Sequence, residues 1–108
     1  MKKTVLVVFG CLFTASIANA QAVKISPDIQ KLLQKNTCLA CHKVDAKLVG
    51  PAYLDVAKKK YTKEKIVELI YKPKPSNWPG YPAMAPMTNV PKAEAMKIAE
   101  WIVSLAKK

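Results

Sequence analysis

Apolar residues recur at the spacing of an amphipathic helix in two stretches of the chain. In the later stretch, about 92–106, apolar side chains lie on one face of the predicted helix, and lysine, glutamate and serine lie on the opposite face. The apolar face consists of Ile98, Trp101, Ile102 and Leu105. In the earlier stretch, Ser26 followed by Pro27 is a typical helix start, and the apolar residues behind them predict a helix over about 27–36.

Two shorter helices are predicted between these. The stretch GPAYLDVAKKK, which begins at Gly50 and Pro51, reads as a short helix after a turn. Thr62 is a favourable N-cap for a third helix, and Pro73 ends it because proline cannot continue a helix. The apolar positions of this third helix are Ile66, Val67, Leu69 and Ile70. The pattern therefore predicts an all-α fold of about four helices.

The segment 73–91 differs from the rest of the chain. It holds six prolines and one glycine, which exclude a regular helix and a central strand. A loop of this length in a small domain is usually functional or disordered. Its apolar residues need a surface to lie on and therefore favour an ordered loop. These residues are Trp78, Tyr81, Met84 and Met87.

The first 20 residues have the features of a secretory signal peptide. Two lysines precede an apolar run, and the motif ANA at 18–20 forms a cleavage site, so the mature chain is expected to begin at Gln21. The apolar run is too short to span a membrane as a retained helix. The sequence thus predicts a cleaved leader over 1–20, one domain over 21–108, and export to the periplasm.

One alternative for the leader is lipoprotein cleavage between Gly10 and Cys11. Phe9 and the very short apolar stretch before it fit that alternative poorly. Cys11 is therefore expected to leave with the leader, so that the mature chain keeps only Cys38 and Cys41.

The mature domain of 88 residues has a small core, and such domains often depend on a disulfide, a metal or a cofactor for stability.

The charge of the chain comes from lysine alone. The formal net charge is +11, and removal of the leader takes away two lysines, leaving +9. An exported protein seldom meets nucleic acid, and this chain has no arginine to bind phosphate or guanine through two hydrogen bonds. No nucleic-acid partner is therefore expected. An acidic protein partner fits this charge better, although part of it also fits a solvated surface. The mature protein is expected to be monomeric and not inserted in a membrane.

The clearest chemical motif is CLACH, which places Cys38, Cys41 and the chain's single histidine, His42, together. Positions i, i+3 and i+4 of a helical turn share one face, so the three side chains should point the same way. Two thioether bonds to a haem and an imidazole on its iron need this arrangement, and the spacing is the attachment signal of c-type haem. The sequence therefore predicts one covalently bound haem c.

The alternatives for this motif lack the residues they need. A structural zinc site takes four ligands, and the mature chain has no second pair of cysteine or histidine to complete one. A thioredoxin-like redox motif belongs in a βαβ context, which the pattern does not show. A visible spectrum of the purified protein would separate these alternatives from a haem protein.

No histidine remains for the second axial position of the iron. The candidates are Met84, Met87, Met96 and a lysine, and Met96 is expected to pack inside the last helix. Met84 lies between Pro82 and Pro86, which stiffen the backbone around it. The residues favour Met84 and leave Met87 as the alternative ligand.

From about Ser26 to Leu105 the chain resembles the small bacterial class I cytochromes c of the c551/c552 type. The matching stretches include CLACH, KLVGPAYLDVAKK, YPAMAP and AEAMKIAEWIVSL. The resemblance implies that His42 and Met84 are the axial ligands and that the Pro51 carbonyl accepts a hydrogen bond from His42. It also implies a hydrogen bond from Trp78 to a haem propionate. Leu48 and Tyr53 are expected in the same pocket.

Two departures from the family pattern concern the Met84 loop. The family often has an asparagine that donates a hydrogen bond to the ligand sulfur, whereas this chain reads Met84-Ala85-Pro86-Met87, so that Asn89 is the candidate substitute. The usual serine or threonine cap of the last helix is replaced by Pro91. Thr88 or Asn89 is therefore expected to cap that helix.

The resemblance implies a non-enzymatic electron carrier that shuttles single electrons between redox proteins in respiration. The expected partners are acidic reductases, oxidases or dehydrogenases. Lysines near the haem are expected to guide docking. These docking residues are Lys35, Lys43, Lys47 and Lys74. Two alternatives remain open: a haem subunit bound tightly to one periplasmic dehydrogenase or oxidase, and a sensor or peroxidase-like haem with an open iron site.

Overall fold

A computed structural model describes residues 23–107 together with Gly10. Within that part the chain forms four α-helices and no strand, which confirms the predicted all-α fold. The helices are α1 (Pro27–Lys35), α2 (Tyr53–Lys58), α3 (Lys63–Tyr71) and α4 (Lys92–Ser104). Short 3₁₀ turns cover Cys38–Ala40 and Pro75–Asn77. Apart from Gly10, the predicted leader over 1–20 lies outside the described residues.

The starts of α1 and α3 follow the capping rules that the sequence suggested. The hydroxyl of Ser26 accepts a hydrogen bond from the backbone N–H of Ile29 at 3.4 Å, and proline occupies the first position of α1. The hydroxyl of Thr62 accepts from the backbone N–H of Lys65 at 3.1 Å. Each cap satisfies one of the free N–H groups of its helix and so fixes where the helix begins.

The start of α4 differs from the sequence expectation. Pro91 is the N-cap, and no side chain caps the helix, so the expectation that Thr88 or Asn89 would do so is wrong. Glu94, at the third position, would normally reach back to the N-cap N–H, but proline has none. Instead its Oε1 binds Nζ of Lys35 at 2.6 Å, while Oε2 is buried without a hydrogen-bond partner. This ion pair links the end of α1 to the start of α4.

Helix α4 is the centre of the packing, with the other three helices in contact with it. Leu33 of α1 and the small residues Ala95 and Ala99 of α4 are fully buried. Small side chains on α4 let the neighbouring helices approach closely. Ile98 and Ile102, on the same side of α4, are also buried and face a large apolar cavity.

The proline-rich loop after α3 is held at its far end by hydrogen bonds. The backbone N–H of Met87 donates to the carbonyl of Ile70 at 3.0 Å. The hydroxyl of Tyr71 donates to the carbonyl of Val90 at 2.6 Å.

Among the described residues, none of the helices is long and apolar enough to cross a membrane.

Candidate functional site

The CLACH motif forms a tight turn whose side chains share one cavity. The carbonyl of Cys38 accepts hydrogen bonds from the N–H of Cys41 at 3.2 Å and from the N–H of His42 at 3.0 Å. The second bond spans four residues, as in an α-helix, so these three residues lie on one face of the turn. Cys38, Cys41 and His42 all line the cavity that α4 closes from behind.

The cavity has the size and composition of a site for a largely apolar ligand. Its volume is about 460 Å³, which is within the range of roughly 300–1,000 Å³ typical of small-molecule sites. Its walls are mostly aliphatic and aromatic, with Ile98 and Ile102 of α4 on one side and the 73–91 loop on the other. The helices and the loop thus border an apolar space that a ligand could fill.

The imidazole of His42 is oriented by the backbone. Its Nδ1 lies 2.8 Å from the carbonyl oxygen of Pro51. A carbonyl oxygen can only accept, so Nδ1 carries the proton and donates, which leaves Nε2 with a free lone pair. That tautomer is the one needed for a metal ligand through Nε2, and the hydrogen bond fixes the orientation of the ring.

Gly50 provides the close approach of backbone to this ring. A Cβ at Gly50 would lie 2.6 Å from Cε1 and 2.9 Å from Nδ1 of His42, closer than real side chains come. The N–H of Gly50 donates to the carbonyl of Cys41 at 2.7 Å and ties the two segments together. In the sequence Gly50 signals only a turn, and nothing in the local pattern points to this contact.

Tyr53 packs against the other residues of the motif. Its ring stacks on the His42 imidazole, with centroids 4.9 Å apart and planes at 25°, and Trp101 contacts it edge-on at 5.2 Å. Only 5% of Tyr53 is exposed, and burial raises the pKa of its hydroxyl far above the ordinary value. The phenol therefore stays protonated, within hydrogen-bonding reach of the Cys38 thiol.

The two cysteines do not form a disulfide with each other. Both thiols are free; Cys38 is half-buried and Cys41 is exposed along the cavity wall. Burial raises the pKa of the Cys38 thiol, and the hydrogen bond from Tyr53 offsets only part of that rise. A disulfide between residues three positions apart would in any case close too small a loop to add much stability.

The two loop methionines differ in their surroundings. Both line the cavity, but Met87 also packs against the buried core, whereas Met84 is 39% exposed. Met96 is half-buried in α4, packs against the core, and does not line the cavity. The sulfur of Met84 is therefore the one not already used in packing the protein interior.

The remaining pocket residues show one difference from expectation. Pro51, Tyr53 and Trp78 line the cavity, but Leu48 is not among the lining residues and is 39% exposed. The neighbouring Val49 lines the cavity instead. This segment is irregular, so the sequence has no period there that predicts which of its side chains line the cavity.

The four lysines expected at the docking surface have different environments. Lys74 lines the cavity rim, and Lys43 is exposed beside His42. Lys35 is paired with Glu94, as described above. Nζ of Lys47 lies 4.4 Å from the centre of the Tyr81 ring. A fifth lysine, Lys59, which the sequence pattern does not single out, has its Nζ 4.7 Å from the centre of the Trp78 ring.

These residues fit a covalently held haem. An apolar cavity is lined by two free thiols, by an imidazole whose orientation leaves Nε2 available, and by the Met84 thioether. Within residues 23–107 there is no group of three or more His, Cys, Asp or Glu that could hold a metal ion directly. The donor set of the zinc alternative is therefore missing from this part of the chain.

Comparisons with known proteins agree with this fit. The sequence model of the family described as Cytochrome c matches residues 27–106. Cytochrome c-552 of Hydrogenobacter thermophilus is 39% identical over 97% of this chain and 99% of its own length. Cytochrome c-551 of Allochromatium vinosum is 37% identical over 68% of this chain and 82% of its own length. The crystal structure of wild-type Nitrosomonas europaea cytochrome c552 has a TM-score of 0.64 at 36% identity, covering 70% of this chain and 98% of that chain.

Proposed function

The chain belongs to the cytochrome c family, whose members carry one covalently attached haem c, and from this we propose that it is a periplasmic one-electron carrier with His42 and Met84 as axial ligands. The observation that carries the proposal is that Cys38, Cys41, His42 and Met84 all line a single apolar cavity. When bound there, the haem supplies an iron that alternates between the ferric and ferrous states.

Cys38 and Cys41 would hold the haem through two thioether bonds. The tight turn supports this role because it keeps the two sulfurs and the imidazole on one face at a fixed spacing. Covalent attachment at the rim leaves the aliphatic side chains of α3 and α4 to cover the rest of the group. The haem would thereby complete a core that the protein alone leaves open.

His42 would bind the iron through Nε2 and Met84 through its sulfur. The hydrogen bond to Pro51 and the stacked Tyr53 ring hold the imidazole in one orientation, so little rearrangement accompanies a change of iron charge. If His42 and Met84 both bind the iron, no position on it would remain for a substrate, and the role would be electron transfer without chemistry on a bound molecule. Methionine ligation and burial in apolar surroundings both favour the ferrous state and raise the potential.

Electron exchange with other proteins would occur by brief docking. The lysines that surround the cavity create a positive surface, and such a surface speeds encounter with an acidic partner more than it strengthens the complex. Lys43 and Lys74 are exposed beside the site and are the best placed for this role. Trp78 would donate its indole N–H, the only polar group of its side chain, to a haem propionate.

The proposal is tested on protein purified from the periplasm. We expect a coloured protein whose visible spectrum changes reversibly with dithionite and ferricyanide, and whose pigment remains with the protein in acidified organic solvent. A far-red band in the oxidised protein would report a sulfur–iron bond. A colourless protein, or one that releases its pigment into the solvent, would contradict the proposal.

A further inference from the structure

The segment that carries Met84 is attached to the rest of the protein mainly at its two ends. Among the described residues, none from 82 to 86 takes part in a backbone hydrogen bond, and all five are exposed. The far end is fixed by the bond from the N–H of Met87 to the carbonyl of Ile70 at 3.0 Å. Pro82 and Pro86 limit the conformations of the segment, but they do not anchor it to the fold.

The near end is held by an aromatic pair. The rings of Trp78 and Tyr81 meet edge-on, with centroids 5.8 Å apart, and both side chains are half-buried along the cavity. The N–H of Tyr81 donates to the carbonyl of Trp78 at 3.2 Å, so the two residues form one compact turn. Whatever fixes this turn also fixes the point from which the Met84 segment departs.

Two lysines from other parts of the chain hold this turn from outside. Lys47, in the segment between the CLACH turn and α2, places Nζ 4.4 Å from the centre of the Tyr81 ring. Lys59, at the end of α2, places Nζ 4.7 Å from the centre of the Trp78 ring and 3.5 Å from the carbonyl oxygen of Asn77. Both distances are within the ~6 Å at which an ammonium group is attracted by the face of an aromatic ring.

We propose that Lys47 and Lys59 are positioning residues that anchor the Met84 loop, each through the charge of its ammonium group on the face of an aromatic side chain. This inference rests on the proposed function, because it assumes that Met84 binds the iron. It changes the role of Lys47, which the sequence suggested as a docking residue only. The expected consequence is that loss of either charge favours the state in which Met84 has left the iron.

The experiment measures how readily an added ligand replaces Met84 in the ferric, haem-bound mature protein. Imidazole is titrated in, and the loss of the far-red sulfur–iron band gives an equilibrium constant. An exposed ammonium–ring contact is weak, so we expect Lys47→Met and Lys59→Met each to raise the constant by about two- to fivefold. Lys47→Arg and Lys59→Arg keep the charge and should restore the wild-type value. Lys31→Met, on the exposed side of α1, is the matched control and should have no effect.

A double-mutant cycle tests whether Lys47 acts through Tyr81 and not through another group. In a Tyr81→Leu background, Lys47→Met should produce no further change, since the ring that the lysine contacts is already gone. Full additivity of the two substitutions would overturn the assigned contact. Wild-type imidazole constants in both Lys47→Met and Lys59→Met would overturn the positioning role altogether.

The outcome for Met84→Ala separates this inference from the proposed function. If Met84→Ala keeps the far-red band, the ligand assignment itself is wrong, and the two lysines then have no ligand loop to position. If Met84→Ala loses the band while the two lysine variants bind imidazole as the wild type does, the ligand assignment holds and only the positioning role is wrong.

Discussion

Gly50 lies directly against the imidazole of His42, so closely that a Cβ on Gly50 would come within 2.6 Å of the ring atom Cε1. The next residue, Pro51, accepts the hydrogen bond from Nδ1 of the same ring at 2.8 Å. One short stretch of backbone therefore sets both the position and the tautomer of the proposed ligand. The contact joins the CLACH turn to the segment that leads into α2.

Replacing Gly50 by alanine should displace the imidazole. The added methyl group would overlap the ring, and overpacking of this kind costs about 1–3 kcal/mol in the free energy of unfolding. We expect a lower denaturant midpoint together with changed NMR signals of the His42 ring. Gly80→Ala is the control: it costs about 1–2 kcal/mol for a different reason, the left-handed backbone at φ +85°, and meets no neighbouring atom. Unchanged His42 signals in Gly50→Ala would contradict the contact.

The two loop methionines should respond differently to replacement by alanine. Met84→Ala should abolish the far-red band of the oxidised protein, because its sulfur is the proposed ligand. Met87→Ala should keep the band but lose about 2 kcal/mol of stability, at the low end for methionine truncation, since Met87 is only partly buried in the core. Spectra and guanidinium unfolding of both variants check this. Loss of the band in Met87→Ala alone would reverse the assignment.

Each cysteine should be able to retain the haem by itself. Cys38→Ala and Cys41→Ala would each keep one thioether bond, so the pigment should remain with the protein in acidified organic solvent. The double variant would hold the haem only through its axial ligands and the apolar cavity, and acid should release it. Pigment that stays attached in the double variant would show that the haem is linked elsewhere.

Electron transfer to an acidic redox protein should slow as ionic strength rises. The screening length falls to about 10 Å at 0.1 M salt, which weakens long-range attraction between exposed charges. Lys43→Gln and Lys74→Gln should lower the rate at low salt, and the difference from wild type should disappear at high salt. Lys31→Gln serves as a control on α1. A rate that does not depend on salt would remove the docking role of these lysines.

Because no side chain caps α4, introducing a cap at residue 91 should raise the stability of the protein. Pro91→Ser would introduce a hydroxyl that can cap α4 and a backbone N–H that can donate a hydrogen bond to Glu94. Pro91→Ala would supply the N–H alone. Both variants lose the rigidity of proline, so their difference isolates the cap, and serine should be the more stable by about 1 kcal/mol. Thermal unfolding measures this difference. Equal stability of the two variants would mean that the backbone at residue 91 does not allow the cap.

Much of this site could be predicted because its chemistry is local. Cys38, Cys41 and His42 fall within one turn, where spacing alone decides which side chains share a face. The starts of α1 and α3 could also be predicted from the sequence, because Ser26 and Thr62 cap these helices through hydrogen bonds to residues three positions later. Pro73 ends α3 for a reason intrinsic to proline. In each case the deciding interaction lies within a few positions along the chain.

Contacts between distant segments were decided by the tertiary structure alone. No periodicity in the sequence predicts these contacts. They are the ion pair of Lys35 with Glu94, 59 positions apart, the contact of Lys59 with the Trp78 ring, and the contact of Gly50 with the His42 ring. The same holds for the segment before α2, where Val49 lines the cavity and Leu48 does not. The sequence by itself determined the four helices and the haem-binding turn, because short-range geometry and proline chemistry fix them. Which loop side chains reach the cavity, and which lysines remain free for a partner, depended on how those helices pack.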